Sequence, residues 1–168
     1  MAGNKYLKIS GGAIAEQAAL QSSSGAGDAG AIVALDASGR IDSSMMPTGI
    51  GADTATIQAS ENLAAGNLVN IHDSSGAKVR KADATTAGKE AHGFVLSGVT
   101  SGQNATVYFE GANTGVTGLT PGVQYLSTTA GLATSTPPST AGNIVQRVGL
   151  ATAATSLNFE QGVPVTLA

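Results

Sequence analysis

Three groups of residues have the types and spacing that chemistry uses. The first is Gly25-Ala26-Gly27-Asp28-Ala29-Gly30, which spells a dinucleotide-binding fingerprint. That fingerprint works when a strand runs into the glycines and a helix leaves them, so that the helix N-terminus meets a pyrophosphate. Here Gln21-Ser22-Ser23-Ser24 comes before, which is no strand, and Ala31–Leu35 runs straight into a turn at Asp36-Ala37-Ser38-Gly39. No βαβ pattern occurs elsewhere. Residues 21–30 therefore read as a flexible joint.

The second group is His72 and His92, with Asp73 and Glu90 beside them. His72 and Asp73 are neighbours, and neighbours on a strand point to opposite faces. His92 and Glu90 are two apart and share a strand face, but a metal site declares more ligands at set spacings. No Asp-rich calcium loop is present, and no G-x-S-x-G nucleophile elbow accompanies the histidines. Both read as structural side chains. The third group is Glu110 and Glu160, which end two similar segments. Paired carboxylates flank the scissile bond in sugar hydrolases. Matched positions in a duplicated scaffold follow from ancestry, however, and three Phe and three Tyr in the whole chain are few for gripping a sugar. Asn104-Ala105-Thr106 fits a glycosylation acceptor, which means nothing without a secretory route. No catalytic, cofactor or metal residue is assigned, and the chain does not read as an enzyme.

These residues sit in a chain of small side chains. Hydrophobic residues make up 42% and aromatics only 4%, with Ala and Val prominent, so each buried residue contributes modestly and subunit contacts become a natural source of stability. A net charge of −3, with 11% charged residues, lacks the clustered basic face that nucleic acid requires. The one basic cluster, Lys78-Val79-Arg80-Lys81, reads as the solvated face of a strand. The chain has no Cys, which excludes disulfide and thiolate chemistry. Neither a signal peptide at Met1–Lys5 nor an apolar run of membrane-spanning length is expected.

Short apolar runs punctuated by Gly, Ser, Thr and Asn predict an all-β protein. Lys5–Ser10 and Ala13–Leu20 flank Gly11-Gly12, a hairpin signal, although Ala, Glu, Gln and Leu in the second run favour a helix equally. Residues 1–50 read as an extended arm with short strands and little core, in which Pro47 pushes Met46 toward an extended backbone. Residues 51–168 read as a β-body, with strands at 54–59, 67–72, 77–81, 91–99, 104–110, 123–127, 132–134, 144–151 and 156–160. The spacing predicts a small β-sandwich or barrel. Two similar strand units are one way to build it. Leu63-Ala64-Ala65-Gly66 matches Leu119-Thr120-Pro121-Gly122 at an offset of 56, and Gly93 matches Gly149 at the same offset. Val107–Gly111 then resembles Leu157–Gly162. Chance similarity among Gly-rich strands is the alternative.

At residues 31–47 a family resemblance enters. Ala-Ile-Val-Ala-Leu-Asp-Ala-Ser-Gly-Arg-Ile-Asp-Ser-Ser-Met-Met-Pro resembles a segment of virion proteins of tailed bacteriophages: an apolar strand, Leu-Asp-x-x-Gly-Arg-Leu/Ile, two Met or Leu, and Pro. Lys81–Val95, Leu119–Thr128 and Gly142–Gly149 are similar to the same proteins. The resemblance implies a structural virion protein made in the bacterial host cytoplasm. It is either a capsid decoration (cement or head-fibre) protein on the capsid exterior or a tail-fibre or tail adaptor protein that attaches to the host. With no shaft of repeats, decoration of the head is the expected role. The expected partners are the major capsid protein and the chain itself, as a homotrimer or else a dimer, with no nucleic acid, membrane or cofactor. The arm is expected to contact the capsid through Tyr6, Leu7, Ile9, Ile32, Val33, Leu35, Ile41, Met45 and Met46. Lys5–Ile9 and Ala31–Leu35 would add as strands to the shell protein's sheet edges, while Ile41, Met45 and Met46 would fill apolar pockets.

Overall fold

Gly11 and Gly12 decide the first element. In the computed structural model, which describes residues 5–46 and 52–168, both have positive φ, +60° and +82°, as a type I′ hairpin turn requires. They join β1 (Lys5–Ser10) to β2 (Ala13–Ala18) in unbroken antiparallel register, from Lys5↔Ala18 to Ser10↔Ala13. The second run is thus strand rather than helix. Its helix preference amounts to a few tenths of a kcal/mol per residue, and a continuous ladder overrides it.

The rest of this first unit is loop held by side-chain-to-backbone hydrogen bonds. The Asp28 carboxylate accepts from the Ser24 amide at 2.6 Å and the Ser23 hydroxyl at 3.2 Å, closing residues 23–28 around one 3-10 turn, Ala26–Asp28. A stretch whose composition reads as a free joint is therefore an ordered loop. The strand expected at Ala31–Leu35 reduces to a single parallel bridge, Leu20↔Val33. Asp36 stops it, because its carboxylate takes the amides of Ser38 and Arg40 at 2.8 and 2.9 Å and turns the chain. Asp42 then caps the 3-10 turn Ser43–Met45 by accepting from the Ser44 amide at 2.9 Å. Met46 is extended, φ −91° and ψ 144°, as a residue before proline should be; Pro47 itself lies outside the described residues. Between residues 5 and 46 only Ala34 is buried.

The second unit, Ala52–Ala168, is all β. β3 (Thr54–Ala59), β4 (Leu68–Asp73), β5 (Ala77–Lys81), β6 (Gly93–Phe94) and β7 (Asn104–Tyr108) close into a barrel in the order β3-β5-β4-β6-β7. β8 (Gly111–Asn113), β9 (Gly122–Leu126), β10 (Ala133–Thr134), β11 (Ile144–Val145), β12 (Arg147–Ala153), β13 (Ser156–Phe159) and β14 (Val165–Thr166) follow. Five of them form an open sheet, β10-β9-β12-β13-β8, and β11 pairs with β14. The run expected at 91–99 keeps only β6 and a bridge Leu63↔Val99. The run expected at 144–151 is split at Gln146, whose side chain is used elsewhere. β8 and β14 carry no strand signal in the sequence.

Cut between β3 and β5, the barrel reads β5-β4-β6-β7-β3, which is the order β10-β9-β12-β13-β8 of the open sheet. The matched glycines do the same work. A Cβ on Gly93 would lie 2.5 Å from the carbonyl oxygen of Tyr108 in β7, and one on Gly149 2.0 Å from that of Asn158 in β13. In both halves, then, the bare glycine lets the next strand approach. The two halves thus share one strand order and one glycine contact, the arrangement expected of two similar strand units.

Each half contributes to the packing between them. Val69, Val79, Val95, Ala105 and Val107 fill the barrel. Leu68 and Phe94 from the first half meet Leu126, Val148, Leu157 and Phe159 from the second in a separate cluster. Burying each such side chain contributes about 1.5–3 kcal/mol. Gln146, fully buried, stitches the halves together. Its Oε1 accepts from the Ala91 amide at 2.8 Å, and its Nε2 donates to the carbonyls of Ala91 at 2.9 Å and Gly162 at 3.1 Å.

Candidate functional site

The hairpin sets out one apolar face. Alternation along β1 and β2 puts Leu7, Ile9, Ile14 and Glu16 on the same side, with Leu7 opposite Glu16 and Ile9 opposite Ile14. Leu7, Ile9 and Ile14 are 71%, 79% and 75% exposed. Nothing in the described residues covers them, and the Lys5–Glu16 ion pair borders them. Tyr6 lies on the other face, half-buried, and lines a hollow of about 370 Å³ with Val33 and Leu35. Ile32, Val33, Leu35, Ile41 and Met46 are 40–52% exposed, and Met45 is half-buried. The nine contact residues expected from sequence thus divide between a hairpin face and a loop surface rather than forming one stripe. Ile14 was not among them. Its signal was available in the Gly11-Gly12 turn, which forces Ile14 opposite Ile9 once the hairpin is chosen.

The two histidines have separate hydrogen-bond partners. His72 Nε2 lies 3.0 Å from Ser60 Oγ, a pair the sequence does not announce, but the Ser60 hydroxyl donates to the Val79 carbonyl at 3.2 Å. Asp73 does not orient the imidazole; its carboxylate accepts from the Gly76 amide at 3.0 Å. His92 Nδ1 accepts from the Ile71 amide at 3.0 Å. Desolvation holds its pKa below the ordinary 6.5, and the neighbouring Glu90 charge opposes that shift. Among the described residues no three His, Cys, Asp or Glu side chains converge as metal ligands. The basic cluster is half-buried rather than a solvated face: Lys78 donates to Gln58 Oε1, and Arg80 to Asn70 Oδ1 at 3.0 Å and the Gly88 carbonyl at 2.8 Å.

The glutamates differ from expectation in a more useful way. Glu110 and Glu160 line one cleft of about 740 Å³, together with Tyr108, Phe109 and Phe159. The chain's six aromatics are few, but four of them, with Phe94, gather here. Phe94 stacks on Tyr108 with ring centroids 5.4 Å apart and meets Phe159 at 5.6 Å. Tyr108-Phe109-Glu110 and Asn158-Phe159-Glu160 are matched segments of the two halves, so the duplication itself brings both to the same cleft. Both glutamates are exposed, and Glu160 pairs with Arg147 at 3.1 Å. The chain matches no protein-family model, no curated protein and no solved structure.

Proposed function

We propose that the protein is a structural virion protein that decorates the exterior of a tailed-phage capsid and grips the major capsid protein through its N-terminal unit. The sequence resemblance over residues 31–47 supports the class. The observation that carries the mode of attachment is the bare hairpin face of Leu7, Ile9 and Ile14. Full burial of a large aliphatic side chain contributes about 1.5–3 kcal/mol. Three that are about three-quarters exposed therefore hold about 3–7 kcal/mol until something covers them. Many copies on one shell multiply that modest term through effective concentration. Self-association as a trimer suits the local symmetry of such a lattice, and light scattering on the purified chain measures it.

Attachment is tested with the triple variant Leu7→Ser, Ile9→Ser, Ile14→Ser, co-sedimented with expanded heads that lack the protein. These side chains have little to lose on the isolated fold, so the variant stays folded and binds at least about a hundredfold more weakly, a loss of about 2.7 kcal/mol. Full-strength binding by the variant refutes the hairpin grip. The aromatic cleft favours a second reading, a tail-fibre or tail adaptor role in host attachment. In that case the intact protein binds host cells and leaves heads bare.

A further inference from the structure

We propose that the cleft between the two halves of the body is a binding site for neutral or amino saccharides. Its volume of about 740 Å³ falls within the roughly 300–1,000 Å³ of small-ligand sites. A sugar ring shows a C–H face and a rim of hydroxyls. The cleft offers the complement: half-buried Tyr108 and Phe109, backed by buried Phe94 and Phe159, with exposed Glu110, Glu160, Asn158 and Gln161 around them.

The polar set narrows the ligand. Carboxylates accept hydrogen bonds from hydroxyl or ammonium groups and repel sugar acids. Arg147 does not reverse that preference, because its guanidinium is already paired with Glu160, and Glu110 has no ion-pair partner among the described residues. The amides of Asn158 and Gln161 both donate and accept, which suits hydroxyls. A purely cationic peptide would need acceptors alone. Phe94 and Phe159 belong to the core packed between the halves and form the floor of the cleft, so the aromatic surface offered to a ligand is that of half-buried Tyr108 and Phe109. A body built mainly on Val, Leu and Ala places all three of its Phe and one Tyr at this single concavity, with Phe109 also packing against the aliphatic core of the barrel. The matched segments supply like groups from two sides, so a ring is gripped across the cleft rather than from one wall.

The site is independent of capsid attachment and is tested on the isolated full chain by amide chemical-shift titration. The probes are maltotriose, N-acetylchitotriose and the glucosamine trisaccharide, with trigalacturonate and trilysine as anionic and cationic-peptide comparisons. At least one of the first three shifts the amides of residues 108–112 and 158–161, with a Kd of about 1 mM or tighter, and trigalacturonate does not. Glu110→Gln and Glu160→Gln, both at exposed positions, weaken binding about tenfold or more while the remaining spectrum stays unchanged. The proposal is overturned if none of the three sugars shifts these amides at about ten times that concentration. It is also overturned if trilysine alone shifts them, or if the glutamine variants bind as the parent does.

Discussion

Two buried glutamines of the same body should respond very differently to the same substitution. Gln146 and Gln124 are both fully buried. Gln146 satisfies the amide and the carbonyl of Ala91, a residue with no exposed surface. Gln124 donates through Nε2 to the carbonyl of exposed Thr120 at 2.7 Å, and its Oε1 has no partner at all. Methionine matches glutamine in length and carries no hydrogen-bonding head. Gln146→Met leaves two buried backbone groups orphaned, at about 1–3 kcal/mol each, and regains about 1 kcal/mol from apolar burial. The net cost is about 1–5 kcal/mol, and at the middle of that range a fall of about 10 °C in Tm for a body of this size. Gln124→Met gives up the hydrogen bond to Thr120, whose exposed carbonyl rehydrates, and a long one of 3.4 Å to the Gly122 carbonyl, and removes an oxygen that was already costing stability. It should fall within about 1 kcal/mol of the parent. Urea unfolding followed by far-ultraviolet circular dichroism, with m-values compared to confirm like transitions, measures both. Equal effects of the two substitutions would sink the view that Gln146 joins the halves by satisfying Ala91.

Gly149→Ala places a Cβ 2.0 Å from the Asn158 carbonyl at a φ of +135°. It should cost about 3 kcal/mol or more, whereas Gly142→Ala, at φ +83° but in open space, should cost about 1 kcal/mol; similar Tm losses for the two would contradict the close approach of β12 and β13. The depressed pKa of His92 implies that an unfolded chain takes up a proton there more readily than the folded one. Its contribution to stability is therefore full above 6.5 and drains away as pH falls toward the lower folded value. His92→Gln should flatten the pH dependence of Tm below 6.5, and an unchanged slope would show that other groups set it.

The sequence is legible where one local rule acts alone. Six-residue β3 and the glycine-turned β4–β5 pair stand within a residue of where alternation and turn residues place them. The duplication was visible in Gly93 and Gly149 because close backbone approach leaves no other residue type tolerable. Legibility fails where a side chain overrides composition. Asp28 orders a Gly-Ser run that reads as slack, and Asp36 cuts short an apolar run that reads as a strand. Gln146 interrupts another by turning inward to a backbone 55 residues away. The cleft was hidden for a different reason. A count of six aromatics says nothing about their placement, and only the pairing of β6 with β7 and of β13 with β8 shows that four of them share one hollow.

Closure of one half and opening of the other leaves the five-stranded sheet with two free rims, β8 and β10, three and two residues long, and the β11–β14 pair adds rims of only two residues. Rims that short give an incoming strand almost no ladder to extend. Copies of this body can therefore be crowded side by side without zippering into fibrils, whatever holds them in place.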